Sequence, residues 1–242
     1  CCGGYLIYHH WSVKQRELEY EKLRQEETLS AATETVIAEP ETEESTEETV
    51  IYCDSVYDFG QLHEQNQDIY AWIVVPGTQV DYPLLQSETD NYYLDYNLDH
   101  SKGYPGCIYT NQCNRKDFSD YNTVLYGHNM KNLSMFGSLK KYKTEDFYKD
   151  HQFFTIYTSE CAYRYQIFAY YDVPETDEVY TVGFAPDDTF QKFIDKMKQK
   201  SYDDTGVNVT KDDHIMTLST CSTTGKRFVV HAVRIGEHAL EK

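Results

Sequence analysis

The chain has 242 residues, enough for one sizeable domain with an appendage or for two small ones, and one domain fits the patterns below better. Its formal net charge of −18 excludes a nucleic-acid binder, which needs a basic face to displace phosphate counterions; nine Glu and no Lys or Arg in residues 26–50 supply half of that charge, so the total implies nothing about substrate charge. Seven scattered cysteines without a CxxC pair argue against a structural zinc site or a disulfide framework in a chain long enough to bury its own core, and 23 tyrosines suit half-buried sheet surfaces.

In chain order, residues 1–11, "CCGGYLIYHHW", form an apolar fragment too short to span a bilayer. Three readings stay open: the outer end of an N-terminal membrane anchor with Tyr5, Tyr8 and Trp11 at headgroup level, a lipid-modified N-terminal cysteine, or a plain chain boundary. The anchor remnant is preferred. Residues 12–27, "SVKQRELEYEKLRQEE", read as a solvated, mixed-charge helix, and residues 28–50 as an acidic disordered spacer whose like charges extend it.

The folded part, residues 51–242, opens with Val56, Phe59, Leu62 and His63 at helical spacing. Strand candidates follow at 71–75, 80–85, 106–110, 122–127, 153–159 and 163–171, then the two runs "HIMTLST" and "RFVVHAVRI". Helices are expected at 133–142 and at 187–201, the second with Phe190, Phe193, Ile194 and Met197 along one stripe. The result is a mainly β domain with α decoration, a barrel or a sandwich.

The chemistry gathers at "TLSTCSTTGKR". Five residues separate Cys221 from Arg227, so a hairpin brings a thiol ending one strand beside a guanidinium opening the next. A cation there favours the thiolate, the form that attacks carbonyls. The thiol needs a proton partner; of nine histidines, His128 directly follows a strand candidate in "NTVLYGHNM", where Gly127 permits a turn that displays the imidazole at the sheet's end. Each residue alone also has a plain structural reading: a buried thiol, a turn histidine, a surface arginine.

Taken together, "TLSTC", "YGHN" and the Arg in "KRFVV" resemble the sortases, cysteine transpeptidases of Gram-positive cell surfaces, over nearly all of residues 51–236. The order of "DIYAWI", "YPLLQ", "NTVLYGHNM", "MFGSL" and "VNVTKDDHIMTLSTC" is similar to class B. The resemblance implies an eight-stranded sortase-type β-barrel with N-terminal helices and a helix between the sixth and seventh strands. It implies Cys221 as nucleophile, His128 as acid and base, and Arg227 as the residue that stabilises the oxyanion and grips the substrate backbone. Ser219 and Thr220 look like groove-lining positions, and Leu94, Tyr126 and Tyr180 like substrate contacts. Tyr180 falls in "DVPETDEVYTVGF", where this chain departs from its apparent relatives.

The implied donor is a secreted protein with an NPxTx-like C-terminal sorting signal, cut at the Thr–Xaa bond. The implied acceptor is a peptidoglycan precursor or cross-bridge amine, or a pilin lysine. The implied location is the outer face of the cytoplasmic membrane, tethered at the N-terminus. No cofactor or metal is expected: no clustered carboxylates suggest calcium, although some sortases of another class use it. A cysteine protease and a non-enzymatic surface adhesin or scaffold are the competing readings. Because every candidate catalytic position lies after residue 120, residues 1–50 are expected to be dispensable for chemistry.

Overall fold

In the computed structural model, which describes residues 2–28 and 57–239, all eight expected strands form and close on one another. They are β1 (Ile69–Val74), β2 (Asp81–Leu85), β3 (Ile108–Tyr109), β4 (Asn122–Tyr126), β5 (Phe153–Tyr157), β6 (Cys161–Pro174), β7 (Ile215–Cys221) and β8 (Lys226–Ala239). The barrel runs β1-β2-β3-β4-β7-β8-β6-β5 and closes through an antiparallel β1–β5 pair. Two neighbours are parallel, β2–β3 and β4–β7; the other pairs are antiparallel. Closure gives every strand a neighbour on both sides.

Alternation along the strands fills two cores. Leu125, Met216, Leu218, Phe228, Val230 and Ala232 point into the barrel, where they join Trp72, Tyr82 and Tyr170. Ile215, Val229 and Val233 point outward and are covered by the expected helix between the sixth and seventh strands. That helix, Asp188–Lys200, begins where the Asp187 carboxylate accepts from the backbone N–H groups of Thr189 and Phe190. Its stripe of Phe190, Phe193, Ile194 and Met197 is buried on the sheet, and burying each such side chain contributes about 1.5–3 kcal/mol.

The remaining helices differ more from expectation. Phe59 and Leu62 lie in a short helix, Phe59–Gln65, capped by Asp58. Two further short helices, Tyr92–Asp95 and Glu145–Asp150, carry no clear periodicity. The helix expected at 133–142 winds instead as a 3-10 helix, Phe136–Lys143. A bridge between Asn129 and Met135 pins its start, and Gly137 abuts the Met130 backbone so closely that a Cβ would lie 2.5 Å from the Met130 carbonyl oxygen.

The N-terminal helix, α1 (Cys2–Thr28), includes the segment expected to be solvated, but one of its faces is docked on the domain. Val13, Tyr20 and Leu23 are buried, Arg16 donates to the Ser101 hydroxyl, and Glu17 accepts from the Tyr82 phenol. Three apolar residues spread over eleven positions give too thin a stripe to announce that face. Among the described residues no helix is long and apolar enough to cross a membrane. The acidic stretch expected as a spacer lies, from residue 29 onward, outside the described residues, as does Val56.

A buried polar chain crosses the outer core. The Thr217 hydroxyl donates to Asn122 Oδ1 and so accepts from His231 Nδ1, while His231 Nε2 accepts from the Tyr171 phenol. Burial holds the His231 pKa down at about 3, far below that of an exposed imidazole. Its stabilising share is therefore complete above the ordinary imidazole pKa of about 6.5 and is lost as pH falls toward that folded value, because only the unfolded chain takes up the proton. Between pH 7 and pH 5 this site is expected to cost about 2 kcal/mol of stability. Urea unfolding of wild type and His231→Gln at both pH values checks it: the variant should show a shallower fall.

Candidate active site

Parallel strands end together. Tyr126 of β4 sits in register with Ser219 of β7, so two residues further on His128 and Cys221 leave the barrel at the same rim. The Gly127 N–H continues the ladder to the Ser219 carbonyl at 3.2 Å. Glycine is needed there because a Cβ would lie 2.8 Å from the ring of the fully buried Phe136. On the other side of β7, Cys221 is the register partner of Arg227 in β8, as the hairpin reading required. The turn between them closes with Ser222 N–H to Lys226 O and Lys226 N–H to Thr223 O, and Gly225 takes φ 73°. Three adjacent strands thus deliver an imidazole, a thiol and a guanidinium to one cleft of about 320 Å³.

The imidazole is oriented from outside the barrel. His128 Nε2 lies 2.7 Å from the Leu94 carbonyl oxygen. A carbonyl only accepts, so Nε2 carries a proton there and Nδ1 is the nitrogen left free to exchange one. The Tyr104 ring packs against the imidazole at 4.9 Å between centroids. Asn129, next along, donates to the Cys221 carbonyl at 2.7 Å and ties the two strand exits together. Among the described residues the Cys221 thiol makes no hydrogen bond to the His128 ring, and such contacts commonly tighten only around substrate.

Arg227 is about one-third exposed and pairs with Glu175 at 3.2 Å across the cleft mouth. A solvent-facing pair of this kind is worth about 0–1 kcal/mol, so the guanidinium is held in place yet exchangeable toward another acceptor. The opposite wall is aromatic: Tyr109, Tyr126 and Tyr180 stack in series at 5.4 and 6.0 Å. Burial raises the pKa of all three phenols, so they act as neutral hydrogen-bonding groups. The Tyr180 hydroxyl meets Ser219 Oγ at 3.0 Å. Its segment is held from below by Asn122, which donates to the Val179 and Thr181 carbonyls. The buried polar chain of the fold therefore ends at the wall of the cleft.

All eight residues singled out from sequence line this cleft: Leu94, Tyr126, His128, Tyr180, Ser219, Thr220, Cys221 and Arg227. The Thr220 hydroxyl, one residue before the thiol, is buried with no hydrogen-bond partner among the described residues. Sequence reasoning missed Asn91, Tyr109, Asn111 and Glu175 on the same lining. Tyr109 lies in the strand candidate 106–110 and pairs with Tyr126; Asn91 and Asn111 meet only in the folded chain, Asn91 N–H donating to Asn111 Oδ1 and the Asn111 amide to Asn91 Oδ1. Other histidines are spent elsewhere: His63, His151 and His214 bond backbone carbonyls and His231 is buried.

Cys107, Cys113 and Cys161 are held as thiols. Burial pushes Cys107 up to about 12, and burial likewise raises Cys113 and Cys161, the last with help from Glu237. Iodoacetamide at neutral pH is therefore expected to label Cys221 ahead of these three, and Cys113→Ala and Cys161→Ala should keep turnover within about twofold. Peptide mapping of the labelled protein and rates for the two variants check this. First labelling of Cys107 would contradict it.

A sortase-domain family profile matches residues 73–235. The chain is 39% identical over 163 residues to Sortase B of Listeria monocytogenes, covering 67% of this chain and 66% of that protein, just under two thirds of its length. It is 36% identical over 178 residues to Sortase B of Staphylococcus aureus, covering 72% and 73% of the two chains. Among solved structures, the Staphylococcus aureus sortase B–substrate complex superposes with a TM-score of 0.77 at 33% identity, over 92% of this chain and 97% of that one. Clostridium perfringens sortase B gives a TM-score of 0.70 at 30% identity, over 74% of this chain and 100% of that one.

Proposed function

Because this chain belongs to the sortase family, we propose that it is a class B-like cysteine transpeptidase that cuts a sorting signal at a Thr–Xaa bond and moves the acyl part to an amine. The observation that carries this reading is the convergence of Cys221, His128 and Arg227 on one cleft from three adjacent strands.

In this reading the Cys221 proton passes to His128 and the thiolate sulfur attacks the threonine carbonyl carbon. The C=O pair moves onto oxygen, where the Arg227 guanidinium and a backbone N–H meet the oxyanion. Collapse of the oxyanion breaks the C–N bond, and imidazolium His128 gives its proton to the departing amine. A thioester is left on Cys221. The acceptor amine attacks that thioester, His128 takes its proton, and the new amide forms as the thiolate leaves. Bond count and charge balance without ATP. Water reaching the open cleft competes for the same thioester, so slow hydrolysis accompanies transfer.

The donor in this proposal is a secreted protein bearing an NPxTx-like C-terminal signal, and the acceptor a peptidoglycan precursor or cross-bridge amine, with a pilin lysine as the alternative nucleophile. The enzyme works at the outer face of the cytoplasmic membrane, with residues 1–50 as its tether. The test is an NPxTx peptide incubated with enzyme, with and without an oligoglycine amine, the products read by mass spectrometry. Amine-dependent transfer product is expected. Hydrolysis that ignores the amine would make the protein a protease, and an unreactive Cys221 would leave it a surface scaffold.

A further inference from the structure

We propose that α1 is a positioning element for His128, acting through the segment 97–107, with Arg16 and Tyr20 as its working residues; this rests on His128 being the acid and base. Both contacts that orient the imidazole come from one stretch of chain: the Leu94 carbonyl that receives Nε2–H, and the Tyr104 ring that packs on the imidazole. That stretch has little regular structure of its own. It holds a four-residue helix and left-handed backbone at Asn91, His100 and Gly106; buried Tyr93, next to Leu94, is fixed from the barrel side by Asn66 and Asp68, while the part around Tyr104 is tied by Asn97, whose Oδ1 accepts from Gly106 N–H and whose amide donates to Ser101, and by Gly103 N–H to Asp95 O. A loop of this kind keeps one shape when contacts outside it hold it, and Asn66 supplies one by donating to the Leu98 carbonyl.

α1 supplies a further hold on either side of Tyr104. Arg16 spans two points of the loop, donating to Ser101 Oγ at 2.7 Å and pairing with Asp99 at 2.8 Å. One turn further along α1, buried Tyr20 directs its hydroxyl at Gly106 O and Cys107 Sγ, each 3.5 Å away. Leu23 and Leu98 join the same buried cluster. The two anchors thus bracket Tyr104. The hairpin that carries Cys221 and Arg227 lies on other strands and takes its geometry from β7–β8 pairing. Releasing α1 should therefore disturb the proton carrier and spare the nucleophile. This also revises the sequence expectation that residues 1–50 are dispensable, since displacements of about 1 Å in a positioned group cost up to about a hundredfold in rate.

The test is the full chain carrying Arg16→Ala with Tyr20→Phe, which removes the polar anchors and keeps the aromatic packing, with Tyr20→Phe alone as the variant to read if the double variant does not fold. Expected are a fall in kcat of about fivefold to tenfold, a donor-peptide KM within about twofold of wild type, an altered pH profile of kcat, and unchanged alkylation of Cys221. Nitrogen NMR of the His128 ring should shift from the Nε2–H tautomer toward a mixture. The proposal is overturned if kcat and the tautomer stay as in wild type while hydrogen exchange shows α1 released. It is equally overturned if kcat falls with tautomer and pH profile unmoved, or if Cys221 alkylation falls in parallel, since the effect would then not run through His128. Should wild type itself transfer nothing, the functional reading fails, and the tautomer ratio still decides the role of α1.

Discussion

Arg227→Lys is expected to lose about 100-fold to 1,000-fold in turnover, on the order of 3 kcal/mol of transition-state stabilisation, while Cys221 stays as alkylatable as in wild type. The two outcomes separate two jobs for one residue. If Arg227 served only as a positive charge opposite the thiol, an ammonium at the same register position would do nearly as well. A guanidinium presents a planar fork that can meet an oxyanion and a substrate carbonyl together, and lysine cannot reproduce that fork. Arg227 pairs with Glu175 and donates to the Lys226 carbonyl, which leaves donors to spare for such a role. Turnover and iodoacetamide rates measured side by side on wild type, Arg227→Lys and Arg227→Ala decide it. Near-normal turnover in the lysine variant would reduce the residue to a charge.

Cys221→Ala should abolish cleavage and transfer together, by several orders of magnitude, because both half-reactions share one sulfur. Loss of a nucleophile cannot be compensated by the remaining cleft, which only binds and polarises. The melting temperature should hardly move, since Cys221 is exposed at the end of its strand and makes no side-chain hydrogen bond among the described residues. Intact-mass detection of a covalent peptide adduct in wild type, mapped to Cys221 and absent from the variant, completes the check. An adduct on Cys107 or Cys161 would overturn the assignment.

Both predictions were open to a reader of the bare chain because the hairpin is local: "TLSTC" and "KRFVV" are neighbours in sequence, and alternation fixes which side chains face each other. His128 was legible for a similar reason, since a glycine after a strand of Val and Leu marks a rim. What the chain could not display was pairing between distant segments. Nothing near Tyr126 or Ser219 says that β4 and β7 run parallel and in register, although this is what brings His128 to the thiol. The docking of α1 was hidden for a different reason. Its contacts with the domain use Arg16, Glu17 and the Tyr20 hydroxyl as much as apolar surface, so its composition reads as that of a solvated helix. Tyr180 was found by resemblance, but its support by Asn122 is visible only in three dimensions.

The parallel pairing of β4 with β7 also sets an order of events in time. Asn129 and Cys221, tied at the strand exits, are 92 residues apart in sequence, and the strands that carry the thiol and the guanidinium are the last two of the barrel. Contacts of such long separation are closed late, after the entropy of the intervening chain has been overcome, and a chain emerges from its amino end. A partly emerged chain can therefore already possess the aromatic wall residues Tyr109 and Tyr126 and the imidazole of His128 and still be chemically silent. The Cys221 thiol first lies beside His128 when β7 slots in beside β4, and beside Arg227 when β8 follows, so the candidate site is assembled at the final stage of folding.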